Sequence, residues 1–240
     1  MLTFDRVELR QGDFRLKAHL SVAAGSLSAL IGPSGSGKST LLAAIAGFIA
    51  PAQGRILWAG KDMTGKAPGQ RSVAMLFQDN NLFPHLSAAQ NVGLGLRPDL
   101  KLTQDDRERV SDALGQVGLA GLENRKPSAL SGGQQSRVAI ARVLVSQSDI
   151  VLLDEPFAAL GPALKDEMLD LVADKLSAKG RTVIMVTHDP ADARRIASQT
   201  IVVSDGIVHP PVETGPLLDN PPEALAAYLG GKKDKKGPLN

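Results

Sequence analysis

Cysteine is absent from the 240 residues, so neither a disulfide framework nor a thiolate-held metal is possible. Aromatic residues make up only 3% of the chain, with a single Trp and a single Tyr, which leaves few rings for stacking. Neither sign of charge prevails: 27 Lys and Arg face 25 Asp and Glu, and a net +2 is too even for a nucleic-acid binder. Long hydrophobic runs are missing as well. The best stretch, residues 41–52, is rich in Ala, broken by Gly47 and well short of a membrane span. The N-terminus meets charge at Asp5 and Arg6 and lacks the apolar segment of a secretory leader, so the expected location is the cytoplasm.

What is present suits a globular domain: 43% hydrophobic and 22% charged residues, in a length that buries one core and leaves room for an inserted subdomain. Residues 1–25 alternate as short strands, with Val7, Leu9, Phe14 and Leu16 as inward candidates. Residues 27–31 form an apolar run that enters a glycine-rich loop. Residues 38–49 follow with helical spacing, Leu41, Leu42, Ile45 and Ile49 sharing a face. Residues 73–77 read as a strand ending at Gln78.

From 87 to 148 the strand signal disappears. Thr103, followed by Gln104, Asp105 and Asp106, reads as a helix cap with first-turn acids, and Val110, Ala113, Leu114 and Val117 recur at helical spacing until Gly118. A further helix starts at Ser131. Strands then return at 150–153, 182–186 and 201–203, with helices at 162–178 and from Asp189-Pro190. Strands alternating with helices predict an α/β fold with a mainly parallel sheet. The expected division is an α/β core of 1–86 and 149–230, a helical insertion of 87–148, and a disordered polar tail of 231–240 carrying Lys232, Lys233, Lys235 and Lys236.

The chemistry lies in five places. Gly32-Pro33-Ser34-Gly35-Ser36-Gly37-Lys38-Ser39 fits the phosphate-loop pattern G-x-x-x-x-G-K-[ST] at every specified position, between a strand and a helix. Its glycines let backbone N–H groups turn toward an anion, and the following helix, opening with Lys38, Ser39 and Thr40, adds its N-terminal partial charge. Lys38 suits the β- and γ-phosphates of a nucleotide, and the Ser39 hydroxyl suits Mg²⁺. Asp154 ends an apolar strand, where a second metal-organising acid belongs. Glu155 follows at once and, on an extended chain, points to the other side as a base for the attacking water.

Ser131-Gly132-Gly133-Gln134 reads two ways. S-x-x-Q is a capping box, yet two successive glycines weaken a helix by roughly 1 kcal/mol each, a cost that close approach to a phosphate explains. Gln78 and His188 each close a strand at the carboxyl edge of the sheet, where ligands bind in open α/β folds. Gln78 there suits the metal or the attacking water, and His188 the γ-phosphate.

Together these motifs resemble the nucleotide-binding subunits of ABC transporters, in order and spacing, over residues 1–210. The loop at 32–39 resembles Walker A, Gln78 the Q-loop, Leu130 to Gln134 the signature LSGGQ, Leu152 to Glu155 Walker B and His188 the switch histidine. The resemblance implies a P-loop (RecA-like) core with an N-terminal antiparallel β subdomain and an inserted helical one, an ATPase using ATP and Mg²⁺. It also implies two copies of the chain set head to tail, so that residues 131–134 of one serve the nucleotide of the other. Integral membrane permease subunits, an indirect periplasmic binding protein and a peripheral place on the cytoplasmic face of the inner membrane follow from the same resemblance. Residues 75–83 and 89–96 are similar to the ATPases of bacterial thiamine importers, which implies thiamine or its phosphates as cargo. Importers of iron, polyamine or molybdate and soluble ABC ATPases are the alternatives.

Three positions depart from the family pattern. Gly161 stands where an Asp is usual, Gln135 replaces an Arg after the signature, and Arg10 and Gln11 occupy the place of an adenine-stacking aromatic. Phe14 is the candidate substitute for that aromatic, although a strand residue of its kind reads first as core.

Overall fold

The computed structural model describes residues 1–222 and 225–226. The expectation of a disordered tail at 231–240 lies outside the described residues. In chain order the elements are β1 (Leu2–Gln11), β2 (Phe14–Val22), β3 (Leu27–Ile31), α1 (Lys38–Ala46), β4 (Gln53–Trp58), β5 (Lys61–Asp62), β6 (Val73–Leu76), α2 (Ala88–Gly93), α3 (Gln104–Gln116) and α4 (Gly132–Val145). There follow β7 (Ile150–Asp154), α5 (Pro162–Ser177), β8 (Thr182–Val186), α6 (Pro190–Ile196), β9 (Gln199–Ser204), β10 (Ile207–Val208), β11 (Val212–Glu213) and α7 (Thr214–Asp219).

Five strands, β9-β3-β8-β7-β6, run parallel. Four others, β5-β4-β1-β2, pair antiparallel, and β10 joins the two sets by lying parallel to β2 and antiparallel to β9. The fold is therefore α/β with a parallel core, as the sequence pattern predicts, and an antiparallel N-terminal layer, as the family resemblance implies. Strands covered on both faces should read as unbroken apolar runs, and β7 and β8 do: every residue of each is buried.

Their alternation sorts the core into two. Ile150, Leu152, Ile184 and Val186 face α1 and the antiparallel layer, among Leu30, Leu41, Leu42 and Ile45. Val151, Leu153, Val183 and Met185 face the other way, into the helices, among Val138, Leu144, Leu169 and Val172. Leu30 and Ile45 have no exposed surface, and burial of such side chains contributes about 1.5–3 kcal/mol each.

Residues 88–145 hold only α2, α3, α4 and a short 3₁₀ turn. Two caps follow the expected chemistry. Thr103 accepts from the Asp106 amide at 3.2 Å and starts α3, and Ser131 accepts from the Gln134 amide at 3.3 Å and starts α4. Helix α1 stops at Ala46 rather than at residue 49, because Gly47 turns left-handed at φ 92° and its amide bonds back to Ala43 and Ala44. No described helix is long and apolar enough to cross a membrane.

Candidate functional site

Strand β3 delivers the chain into the glycine loop, and the loop folds onto its own lysine. Lys38 Nζ donates to the Gly32 and Pro33 carbonyls at 2.8 and 2.9 Å, which brings the cation back beneath the loop. Two glycines are required by this course. Gly32 passes so near β9 that a β-carbon would stand 2.1 Å from the Val203 carbonyl oxygen. Gly37 has φ 103°, and a β-carbon there would meet Phe14 Cζ at 2.6 Å. Burial pulls the Lys38 pKa down, opposed by the charges of Glu155 and Asp154.

Asp154 lies at the buried end of β7. Burial raises its pKa, while a hydrogen bond from the Ser39 side chain and the Lys38 charge work against that rise, and the Glu155 charge adds to it. Glu155 is not extended, contrary to the sequence reading: its φ is 47°, so the chain turns at this residue. Its amide donates to the Val186 carbonyl at 3.2 Å, tying the turn to β8. A carboxylate oxygen of Glu155 lies 3.5 Å from His188 Nδ1.

These pieces border one cleft of about 510 Å³, lined by Ser34, Gly35, Gly37, Lys38, Ser39, Thr40, Gln78, Glu155 and His188 together with Gln11 and Phe14. Gln78 and His188 come two residues beyond the ends of β6 and β8, and both are exposed. Gly32 and Pro33 sit behind the cleft as carbonyl partners of Lys38. The Ser36 Oγ is buried without a hydrogen-bond partner, in a loop whose amides suit an anion. An orphaned hydroxyl at that place fits a phosphate oxygen.

Phe14 packs against the core, as expected of a strand residue, and also lines the cleft. It is half-buried on β2 and presents its ring to the cleft, against Gly37. Gln11, which sequence reasoning gave no function, lies beside it, its side-chain oxygen 3.4 Å from the Thr40 hydroxyl.

Residues 131–134 take no part in this cleft. Ser131 and Gln134 are engaged with each other's backbone, Gln134 Oε1 accepting from the Ser131 amide at 2.9 Å. A β-carbon on Gly132 would meet no atom within 4 Å, so that face opens outward. Gln135, in place of the usual cation, donates to the Pro127 and Leu130 carbonyls and braces the turn that precedes α4.

The protein family described as ABC transporter matches residues 16–158. The chain belongs to the ABC transporter family. Thiamine import ATP-binding proteins ThiQ from Ruegeria sp. (strain TM1040) and from Cereibacter sphaeroides are each 59% identical to it over 230 residues, 96% of this chain and 100% of theirs. Among solved structures, a dimeric ATP-binding cassette, MJ0796, in a post-hydrolysis state bound to ADP and Pi is 30% identical. It superposes with a TM-score of 0.79 over 89% of this chain and 99% of that one. A second dimeric structure of that bacterial ABC transporter cassette gives a TM-score of 0.80. The cassette described here is thus a nucleotide-binding ATPase.

Proposed function

We propose that this cassette is the motor of a thiamine importer, and that it hydrolyses ATP only where two copies meet. The observation that carries the composite site is the outward-facing Gly132: the signature residues are ordered by their own capping box, yet stand apart from the cleft of the same chain. Head-to-tail pairing puts Ser131, Gly132, Gly133 and Gln134 of one copy over the nucleotide in the other. The thiamine cargo is supported by near-full-length likeness to the ThiQ proteins. The same reading treats 1–86 and 149–230 as the nucleotide-binding core and 87–148 as the signature subdomain, docked on permease subunits at the inner face of the membrane.

Within one copy, the amides of residues 34–39 and the N-terminus of α1 cradle the phosphates, and Lys38 neutralises charge on the transferred group. Ser39 and Asp154 would hold Mg²⁺, the oxygen-only donor set that this ion takes with phosphates and water, and the ion would offset charge on the phosphates. Gln78 reaches the rim of the cleft, suited to the metal's water shell. Glu155 accepts the proton of the attacking water, and His188, held beside it, donates to the γ-phosphate.

Mixing experiments test the composite site. Lys38→Ala and Gly132→Asp should each abolish hydrolysis, and a mixture of the two should recover part of it, because one site in a mixed pair is intact. No recovery, together with a single protomer as the active species, would refute the shared site. For the cargo, vesicles holding this chain with its permease and binding protein should accumulate labelled thiamine. Uptake of iron, polyamine or molybdate in its place would reassign it.

A further inference from the structure

His188 is weakly held by its own side chain. Its ring is 64% exposed, with a carboxylate oxygen of Glu155 3.5 Å from Nδ1. Its position therefore depends on the backbone of Thr187 and Asp189. Both are fastened by one circuit. The Thr187 hydroxyl lies 3.0 Å from Asp192 Oδ2 and accepts from the Asp189 amide at 3.0 Å. Lys165 Nζ, on the first turn of α5, then closes the circuit by pairing with Asp192 Oδ1 at 2.6 Å and Asp189 Oδ2 at 2.7 Å.

We infer that Lys165 is a positioning residue for His188, and so for hydrolysis. The inference rests on the proposed role of His188 at the γ-phosphate. Asp192 is buried, 7% exposed, and Lys165 is the cation shared by it and Asp189. Removing it leaves two neighbouring carboxylates without the cation between them, one of them out of water, and repulsion then pushes the loop apart. Thr187 stays tied to β3 through its amide on the Leu30 carbonyl at 3.3 Å, so the part free to shift is the loop beyond it. A cavity of about 340 Å³ separates Pro156, Phe157 and Leu160 from the loop at 187–192, and Lys165 lines it. The anchor's other end matters too. Helix α5 begins directly after the segment carrying Ala159 and Leu160, whose atoms lie 3.4 Å from where a Gly133 β-carbon would stand. Lys165 therefore connects the signature side of the protomer to the histidine loop.

The same two helices are also joined on the surface, where Arg195 forks onto Asp170 at 2.7 Å and reaches Asp166 at 2.9 Å. That exposed fork supplies a control, since it fastens α6 to α5 without touching residues 187–189.

The test compares kcat and KM for ATP in Lys165→Met, Lys165→Arg, Arg195→Met, His188→Ala and the Lys165→Met/His188→Ala pair. A loop displaced by about 1 Å costs on the order of 10- to 100-fold in turnover. Lys165→Met should lose kcat on that scale while ATP affinity stays within about twofold, the signature of a lost transition-state interaction. Lys165→Arg should restore most of it. Arg195→Met should keep kcat even where it lowers the melting temperature. The double variant should be no slower than His188→Ala alone. Undiminished turnover in Lys165→Met, or losses that multiply in the double variant, overturns the inference. Wild-type turnover in His188→Ala would instead overturn the reading of the histidine on which it rests.

Discussion

Arg142 of the signature helix donates to the Asn81 carbonyl oxygen at 2.9 Å, and its second nitrogen reaches the Asn80 carbonyl at the same distance. Asn80 and Asn81 both have positive φ, 61° and 42°, a course that Asn tolerates better than other side chains. The segment just after Gln78 is thus shaped by a residue of α4. Burial lowers the pKa of the guanidinium, and of its two bonds the one to Asn80 is partly buried while the one to Asn81 is exposed. Arg142→Met should destabilise the protein by about 2 kcal/mol, the scale of charge-assisted hydrogen bonds, read by chemical denaturation. It should also raise proteolytic nicking within 78–83. Unchanged cleavage there would mean that the loop holds its shape unaided.

Glu155→Gln keeps the size and shape of the side chain but removes the proton acceptor. Hydrolysis should fall by about 10²–10⁴-fold, the usual contribution of a general base, with ATP still bound. Bound ATP that is not consumed should hold two copies together, so size-exclusion chromatography should show a pair with ATP and single protomers without it. Normal turnover in this variant would remove Glu155 from its role.

The Arg97 guanidinium, 2.6 Å from Asp106, is the main cause that brings this carboxyl down to about 2 from 3.8, helped by the Thr103 amide. A depressed acid contributes stability that is present above 3.8 and lost as pH falls toward 2. The difference in unfolding free energy between the wild type and Asp106→Asn should therefore be constant near neutrality. It should shrink from pH 3.8 downward and disappear near pH 2. A difference that persists below pH 2 would show that the pair acts through packing instead.

Phe14 is the aromatic ring that lines the cleft. Phe14→Ala should weaken ATP binding by the worth of a base–aromatic stack, about 1–3 kcal/mol, measured by titration calorimetry. A stack reads the π-face and not the edge of a base, so ATP and GTP should bind within about tenfold of each other. A strong preference for ATP that survives Phe14→Ala would point to an edge contact elsewhere.

The parts of this fold that show in the sequence are those built from local pattern. The all-buried runs at 27–31 and 182–186 reappear as strands with the same bounds, and Thr103 and Ser131 cap helices through their own side chains. Strand β4 is not legible, since only Ile56 of its six residues is buried and no alternation survives. The two-residue β10 is legible as the return at Ile207 and Val208 after the Asp205-Gly206 turn, but its parallel pairing with β2, which unites the sheet, is not. At the site, the phosphate loop and the acids are visible as motifs because their chemistry fixes residue types. The turn at Glu155 is not, because nothing in Asp-Glu-Pro specifies a positive φ. Nor is Lys165, whose two carboxylates lie 24 and 27 residues further along the chain.

The open space beside Gly132 has a consequence for how the molecule can be engineered. In a lone protomer an alanine there would clash with nothing and would stiffen the start of α4, worth about 0.5–1 kcal/mol. Gly132→Ala should therefore melt later than the wild type and yet hydrolyse less ATP. A screen that rewards heat tolerance of the separate subunit would select this change and discard the working pair.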